Sequence, residues 1–216
     1  MKATLNIPTT LNEITLEQYQ LYLAAQETKN NEHYLQRKII EIFCSVSEEN
    51  VKKIIAKDVK KISEKIASMF GGDHELLRSF KMNGIDYGFV PNLDEISFGE
   101  YVDLDTYVSD WKNMHLSMNV LYRPITHRSA GRYEINSYST DKPENALQMP
   151  MSAVLGSLFF LFNLGRDLLI TTKDYLKEEI KKQQVPLVNL DKSMDGMAAY
   201  LDLATEILPN LNLSRK

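Results

Sequence analysis

Leu11-Asn12-Glu13-Ile14-Thr15-Leu16-Glu17-Gln18-Tyr19 recurs further along the chain as Leu93-Asp94-Glu95-Ile96-Ser97-Phe98-Gly99-Glu100-Tyr101. Leu, Glu, Ile and Tyr are identical in the two copies. Asn/Asp, Thr/Ser, Leu/Phe and Gln/Glu are close in chemistry, and only the Glu17/Gly99 column disagrees. Each copy reads as a helix start. Thr15 or Ser97 is an N-cap hydroxyl, and Gln18 or Glu100 follows three residues later, where its side chain can reach back to the backbone N–H of the cap. The repeat therefore predicts two capped helices in equivalent packing roles, and it contains no catalytic chemistry.

Ahead of the first copy, residues 2–7 alternate enough for a short strand that Pro8 ends. Ahead of the second, Ser79-Phe80-Lys81-Met82, Asn83-Gly84 and Ile85-Asp86-Tyr87-Gly88-Phe89 form a hairpin signal. Asn-Gly supplies the two positive-φ residues of a type I′ turn, and Pro91 ends the second strand. The duplicated unit thus extends to strand, proline and capped helix.

Three helices are expected after the first copy: residues 32–44 with Leu35, Ile39, Ile42 and Phe43 at helical spacing, a short one from Ser47, and one that Asp58 can cap. The last carries Val59, Ile62, Ile66 and Phe70 and closes at Gly71-Gly72. After the second copy, Leu104, Val108, Trp111, His115, Met118 and Tyr122 step by three and four residues, a seam along one long helix or two collinear ones ended by Pro124. Residues 123–148 are the least regular part, with 132–138 as a candidate strand or extended arm. A stretch of this kind is either functional and ordered by a partner or a plain surface loop. Pro150 opens an apolar helix to about Leu169, extended by a polar segment over 173–184. Residues 193–208 give a last amphipathic helix through Met194, Met197, Leu201, Ala204 and Leu208. The expected fold is α+β, mostly α-helical, with a small antiparallel sheet built on hairpin 79–89 and the N-terminal strand as a candidate addition. Segments 1–72, 73–124, 125–148 and 149–216 are expected to form one compact domain.

With 216 residues, 44% of them hydrophobic and 25% charged, the composition is that of a globular chain with a real core. A formal net charge of −4 argues against general nucleic-acid binding, which needs a basic face. Charge is unevenly placed. From Asp94 to Asp110 stand Asp94, Glu95, Glu100, Asp103, Asp105 and Asp110 with no Lys or Arg, whereas Lys52, Lys53, Lys57, Lys60, Lys61 and Lys65 dominate residues 48–65. These regions could attract one another within the fold or between subunits, or be solvated helix faces. Cys44, the only cysteine, excludes an intrachain disulfide and lies in an apolar run where a buried thiol is expected. No apolar segment of a secretion signal follows Met1-Lys2, so none is expected. The uncharged stretch 145–165 is the membrane candidate. Its dense apolar part, residues 153–164, is about half of the roughly 20 residues a spanning helix needs, so a core helix or subunit contact is expected and no membrane.

The chemistry-bearing residues form no catalytic constellation. His33, His74, His115 and His127 are scattered without metal-ligand spacing, and Asp103-Leu104-Asp105 lacks the Gly and terminal Glu of a calcium loop. Gly71-Gly72 has no phosphate-loop context, and Leu155-Gly156-Ser157 is not a nucleophile elbow. No enzyme activity, metal or cofactor is expected. Tyr122, Arg123, His127, Arg128, Arg132 and Tyr133 make a small basic, aromatic patch suited to a protein contact more than to single-stranded nucleic acid. The candidate interaction residues are Trp111 on the seam, Tyr122, Arg123, Arg128, Arg132 and Tyr133 of the patch, and Phe159, Phe160 and Phe162 of the apolar helix.

The run from Phe80-Lys81-Met82-Asn83-Gly84 through Leu93-Asp94-Glu95-Ile96-Ser97-Phe98-Gly99-Glu100-Tyr101-Val102-Asp103-Leu104, followed by Val120-Leu121-Tyr122-Arg123-Pro124, resembles a group of tailed-bacteriophage proteins of virion assembly, described as tail or head-tail morphogenesis factors. The resemblance covers roughly residues 11–169, including the Met149-Pro150-Met151 helix start, and transfers no functional residues. It implies a non-enzymatic structural or assembly protein that contacts other phage virion proteins and works in the host cytoplasm during assembly or in the virion, while the apolar helix, the seam through Trp111 and the irregular arm lead to the expectation of a homo-oligomer. The alternatives are a tail assembly chaperone absent from the mature particle, and a nucleic-acid-binding or host-directed regulator built on the lysine-bearing helices between Val51 and Phe70.

Overall fold

The computed structural model describes residues 5–29, 31–141 and 143–183. Both repeat copies start as expected. In each, a 3-10 turn (Leu11–Glu13, Leu93–Glu95) leads through an extended isoleucine to the cap residue. Helix α1 (Leu16–Thr28) is capped by Thr15, which accepts from Gln18 N–H at 3.2 Å while Gln18 Oε1 accepts from Thr15 N–H at 3.0 Å. The same reciprocal pair holds Ser97 and Glu100 together later in the chain.

Helix α2 (Glu32–Phe43) follows, with Asn31 as its cap, then the single-turn α3 (Glu48–Val51) and α4 (Ala56–Ser68). Asp58 does not cap α4. Ile55 holds the cap position without a side-chain bond, and Asp58 sits in the first turn, where its carboxylate faces the positive end of the helix dipole. The hairpin of β1 (Ser79–Met82) and β2 (Ile85–Phe89) turns on Asn83 and Gly84 at φ 51° and 80°, the positive values a type I′ turn demands.

Helices α5 (Phe98–Tyr107) and α6 (Met114–Leu121) carry the seam, but they are two elements rather than one helix. The break is chemical: Asp110 Oδ1 accepts from Lys112 N–H at 2.9 Å and Oδ2 from Asn113 Nδ2 at 2.6 Å, a local turn that competes with helix continuation. Tyr122, the last seam position, begins β3 (Tyr122–Ser129), which pairs with β4 (Arg132–Ile135) across Ala130 and Gly131, both at positive φ. Much of the stretch read as irregular is thus a hairpin, and a 3-10 segment (Pro143–Gln148) leads on to α7 (Met151–Gln183). The sheet is an antiparallel meander in the order β1-β2-β3-β4. Among the described residues the N-terminal segment is not part of it. Leu5 and Ile7 pack on the helical core instead, and residues 2–4 lie outside the description. The helix expected over 193–208 likewise lies outside the described residues. The fold is α+β and mostly helical.

The first repeat copy is joined to the start of α7. Leu16 N–H donates to the Met149 carbonyl at 2.9 Å and Met151 N–H to the Ile14 carbonyl at 2.8 Å, an antiparallel bridge centred on Thr15 and Pro150. Ile14, Leu16, Met149 and Met151 are fully buried around it, with Ile40, Ile66, Met114, Met118, Leu121 and Leu155. Beyond the bridge, α7 passes so close to the extended segment before β1 that a Cβ at Gly156 would collide with the Glu75 carbonyl oxygen. Tyr122 Oη donates to the Leu77 carbonyl at 2.8 Å and so fixes the same segment against the sheet.

Gly156→Ala should therefore lower stability by about 2 to 3 kcal/mol, because the obstacle is backbone and cannot rotate away. Gly99→Ala, in an α5 position with open space around it, should raise stability by about 0.5 kcal/mol. Urea denaturation of the two variants beside the parent checks both signs.

Candidate interaction surfaces

Several residues expected at a contact surface are buried or half-buried against the body of the fold. Tyr122 is buried, its ring edge-on to Phe80 and Phe89 at 5.2 and 5.3 Å, and burial pushes its hydroxyl far above the usual phenol range. Phe159 is buried against His74, and Phe160 packs edge-on to Phe89 at 5.6 Å. Trp111 meets Tyr19 at 4.9 Å, and its carbonyl accepts from Gln20 Nε2 at 2.7 Å. Tyr133 lies across Gly88, whose missing side chain admits the ring, and its hydroxyl lies 2.8 Å from both the Arg78 and the Phe89 carbonyls. Phe162 is half-buried, and Arg128 and Arg132 are exposed near the tip of the β3-β4 hairpin. The basic, aromatic patch therefore divides into a buried part and an exposed part.

Arg123 belongs to the buried part. Its guanidinium meets Glu100 Oε1 at 2.7 Å, and Glu100 Oε2 also accepts from Ser97 N–H at 2.7 Å. One carboxylate thereby closes the capping box of α5 and ties that helix to β3. Tyr138 donates to Asp103 Oδ2 one turn further along α5, adding a second polar tie from the segment after β4. Burial alone would raise the Glu100 carboxyl, but the Ser97 bonds and the Arg123 charge outweigh it and hold the group below the ordinary carboxylate range. The arrangement is structural: every bond of the carboxylate is spent on the fold.

Other reactive groups are equally confined. Cys44 is buried, and burial pushes its thiol up to about 11, which leaves it protonated and inert. Burial lowers the His115 imidazole against the weaker opposing effect of Glu144. Among the described residues no group of three or more His, Cys, Asp or Glu could hold a metal ion.

Three features face outward. First, α7 leaves the core: Met151 to Phe159 are largely buried, whereas Leu168, Ile170 and Tyr175 are 60%, 53% and 64% exposed. Leu164, Leu168, Thr171 and Tyr175 are spaced by four, three and four residues, the stripe of a helix that packs along another. By length and composition the span Met151–Lys173 could also cross a membrane, and 39% of its apolar window is buried inside the fold. Second, α5 exposes Phe98, Tyr101 and Val102. Third, a groove of about 790 Å³ runs between the N-terminal segment and α3-α4, with Leu5, Ile7, Ile54 and Ile62 as its apolar lining and Lys61 and Lys65 at its side. No ion pair among the described residues joins the lysines of residues 48–65 to the acids of residues 94–110.

Glu100→Gln keeps a side chain able to close the cap, as Gln18 does in α1, but strands the Arg123 charge. It should lose about 2 to 3 kcal/mol, and Glu100→Gln/Arg123→Met should recover most of that loss. The native Glu100 carboxyl lies below its unfolded value, so its stabilisation is complete above about pH 4.3 and disappears as pH falls through the folded value. Urea midpoints taken down through this range should fall more steeply for the parent than for Glu100→Gln.

No protein-family model, curated protein or solved structure matches this chain, so the reading of these surfaces rests on their own geometry.

Proposed function

We propose that this chain is a non-enzymatic assembly protein of a tailed-phage virion, acting through protein-protein contacts during head-tail or tail assembly. The observation that carries the protein-contact reading is the outer half of α7, where Leu164, Leu168 and Tyr175 are presented to solvent along one stripe of a helix whose first turns are locked into the core. Apolar side chains in such a row are what a helix-packing partner covers. The phage context is drawn from the resemblance of residues 80–104 and 120–124. The confinement of Cys44, Glu100, Arg123 and Tyr122 to structural tasks fits a protein that binds rather than reacts.

In a phage that encodes this chain, deletion should stop assembly at one stage, and the parent gene supplied in trans should restore it. Leu164→Asp/Leu168→Asp should fold with stability within about 1 kcal/mol of the parent, both sites being exposed, yet fail to restore assembly. Normal particles and titre after deletion would refute the proposal. Mass spectrometry of purified particles then separates a component, present at many copies, from a chaperone, absent from them.

A further inference from the structure

The two repeat copies share a code and differ in what covers them. In the first, Leu16 and Tyr19 are 0% and 4% exposed: the bridge to Met149 and Met151 covers one, and the rings of Phe70 and Trp111 close over the other. The residues at the same places in the second copy, Phe98 and Tyr101, are 81% and 54% exposed, with Val102 beside them. Helix α5 is held to the body by its opposite face, through Glu100 and Asp103. Its aromatic face is bordered by the exposed carboxylates of Asp94, Glu95 and Asp105.

The groove beside α4 has the complementary character. It is apolar in its lining, and Lys61 and Lys65, with Lys57 one turn before Lys61, supply exposed positive charge that forms no ion pair among the described residues. Among the described residues Asp58 is the one carboxylate that lines it. Acid-bordered aromatics on one face and a lysine-sided apolar groove on another can satisfy each other only between two molecules when the fold leaves them unjoined. We infer that the α5 face of one copy of this chain docks into the α4 groove of a second copy, a head-to-tail contact that generates a ring if it closes and a linear series if it does not. Phe98 and Tyr101 are the aromatic anchors of that contact, and the charges set its orientation. This contact is separate from the α7 stripe assigned to other virion proteins.

Sedimentation velocity of the full chain tests it. The parent should sediment as species larger than a monomer at low salt and shift toward monomer at about 1 M salt, where the screening length falls to about 3 Å. Phe98→Ser/Tyr101→Ser alone, and Lys61→Glu/Lys65→Glu alone, should each be monomeric, with unchanged circular dichroism. Mixed together they should form a one-to-one dimer and stop there, because one variant keeps a groove and the other keeps an aromatic face. A monomeric parent at low salt, or a mixture that stays monomeric, overturns the proposal. Photocrosslinking from p-benzoylphenylalanine at position 98 gives a second readout: products between chains at residues 54–65 are expected, and a product within one chain at residues 184–216 overturns it. A monomeric parent leaves the assembly role of α7 standing, and normal virions after gene deletion leave this self-contact standing, so the two failures are distinguishable.

Discussion

Two backbone hydrogen bonds far apart in sequence organise the molecule: Leu16 N–H to the Met149 carbonyl and Met151 N–H to the Ile14 carbonyl. All four residues are fully buried, so these polar groups would lose about 1 to 3 kcal/mol each if left without partners. The bridge must form for the core to close. Because the entropy of closing a loop grows only slowly with its length, the long separation adds little to the cost of making it. Once it is made, the start of α7 is fixed beside α1, Gly156 meets the segment before β1, and Tyr122 reaches Leu77. The sheet and the helical core are thereby set against the same helix.

That placement divides α7. Its first turns supply Met151, Ala153, Val154, Leu155 and Leu158 to the core, where an aliphatic side chain contributes about 1.5 to 3 kcal/mol when fully buried. Its later turns continue into solvent with apolar residues still in a row. A helix anchored at one end in this way presents its outer stripe in a defined direction, so little ordering is left to do when a partner covers it. The apolar stretch that the sequence offers as a core helix or a subunit contact therefore has a buried part and an exposed part, separated by how far the body of the fold extends along it.

Local rules were legible and long-range partnerships were not. Both capping boxes and the Asn83-Gly84 turn lie within a few residues and have side chains that dictate the conformation. The break between α5 and α6 rests on Asp110, whose competition with the backbone is visible only after the helix is known to stop there. The β3-β4 turn uses Ala130-Gly131, and alanine at positive φ is not a turn signal. Arg123 reads as surface charge because its partner, Glu100, lies on another element and has a local task as a cap. Tyr122 and Tyr133 read as contact residues for the same reason. An aromatic ring with a hydroxyl suits an interface and a core equally, and only the Leu77, Arg78 and Phe89 carbonyls decide between them. The exposure of Phe98 had no local signature, since Leu16 at the matching place is fully buried.

The contrast between those two positions lies in what each copy is packed against. Helix α1 buries Leu16 and Tyr19 against Met149, Met151, Phe70 and Trp111, and its cap partner Gln18 donates through Nε2 to the Ile42 carbonyl at 2.9 Å. Helix α5 carries Glu100 at the matching cap position and Asp103 one turn later, and the body offers Arg123 and Tyr138 opposite them. Charge-assisted hydrogen bonds are about twice as strong as neutral ones. Rotating α5 to bury Phe98 and Tyr101 would break the Glu100 bond to Arg123 and leave that guanidinium without its ion-pair partner. Glu100 with its partner on β3 thus ties α5 to the sheet, whereas Gln18 at the matching position ties α1 to α2 through the Ile42 carbonyl. Duplication of a helix start supplies two equal local structures, and the surroundings differ: the fold covers Leu16 and Tyr19 in one copy and leaves Phe98 and Tyr101 exposed in the other.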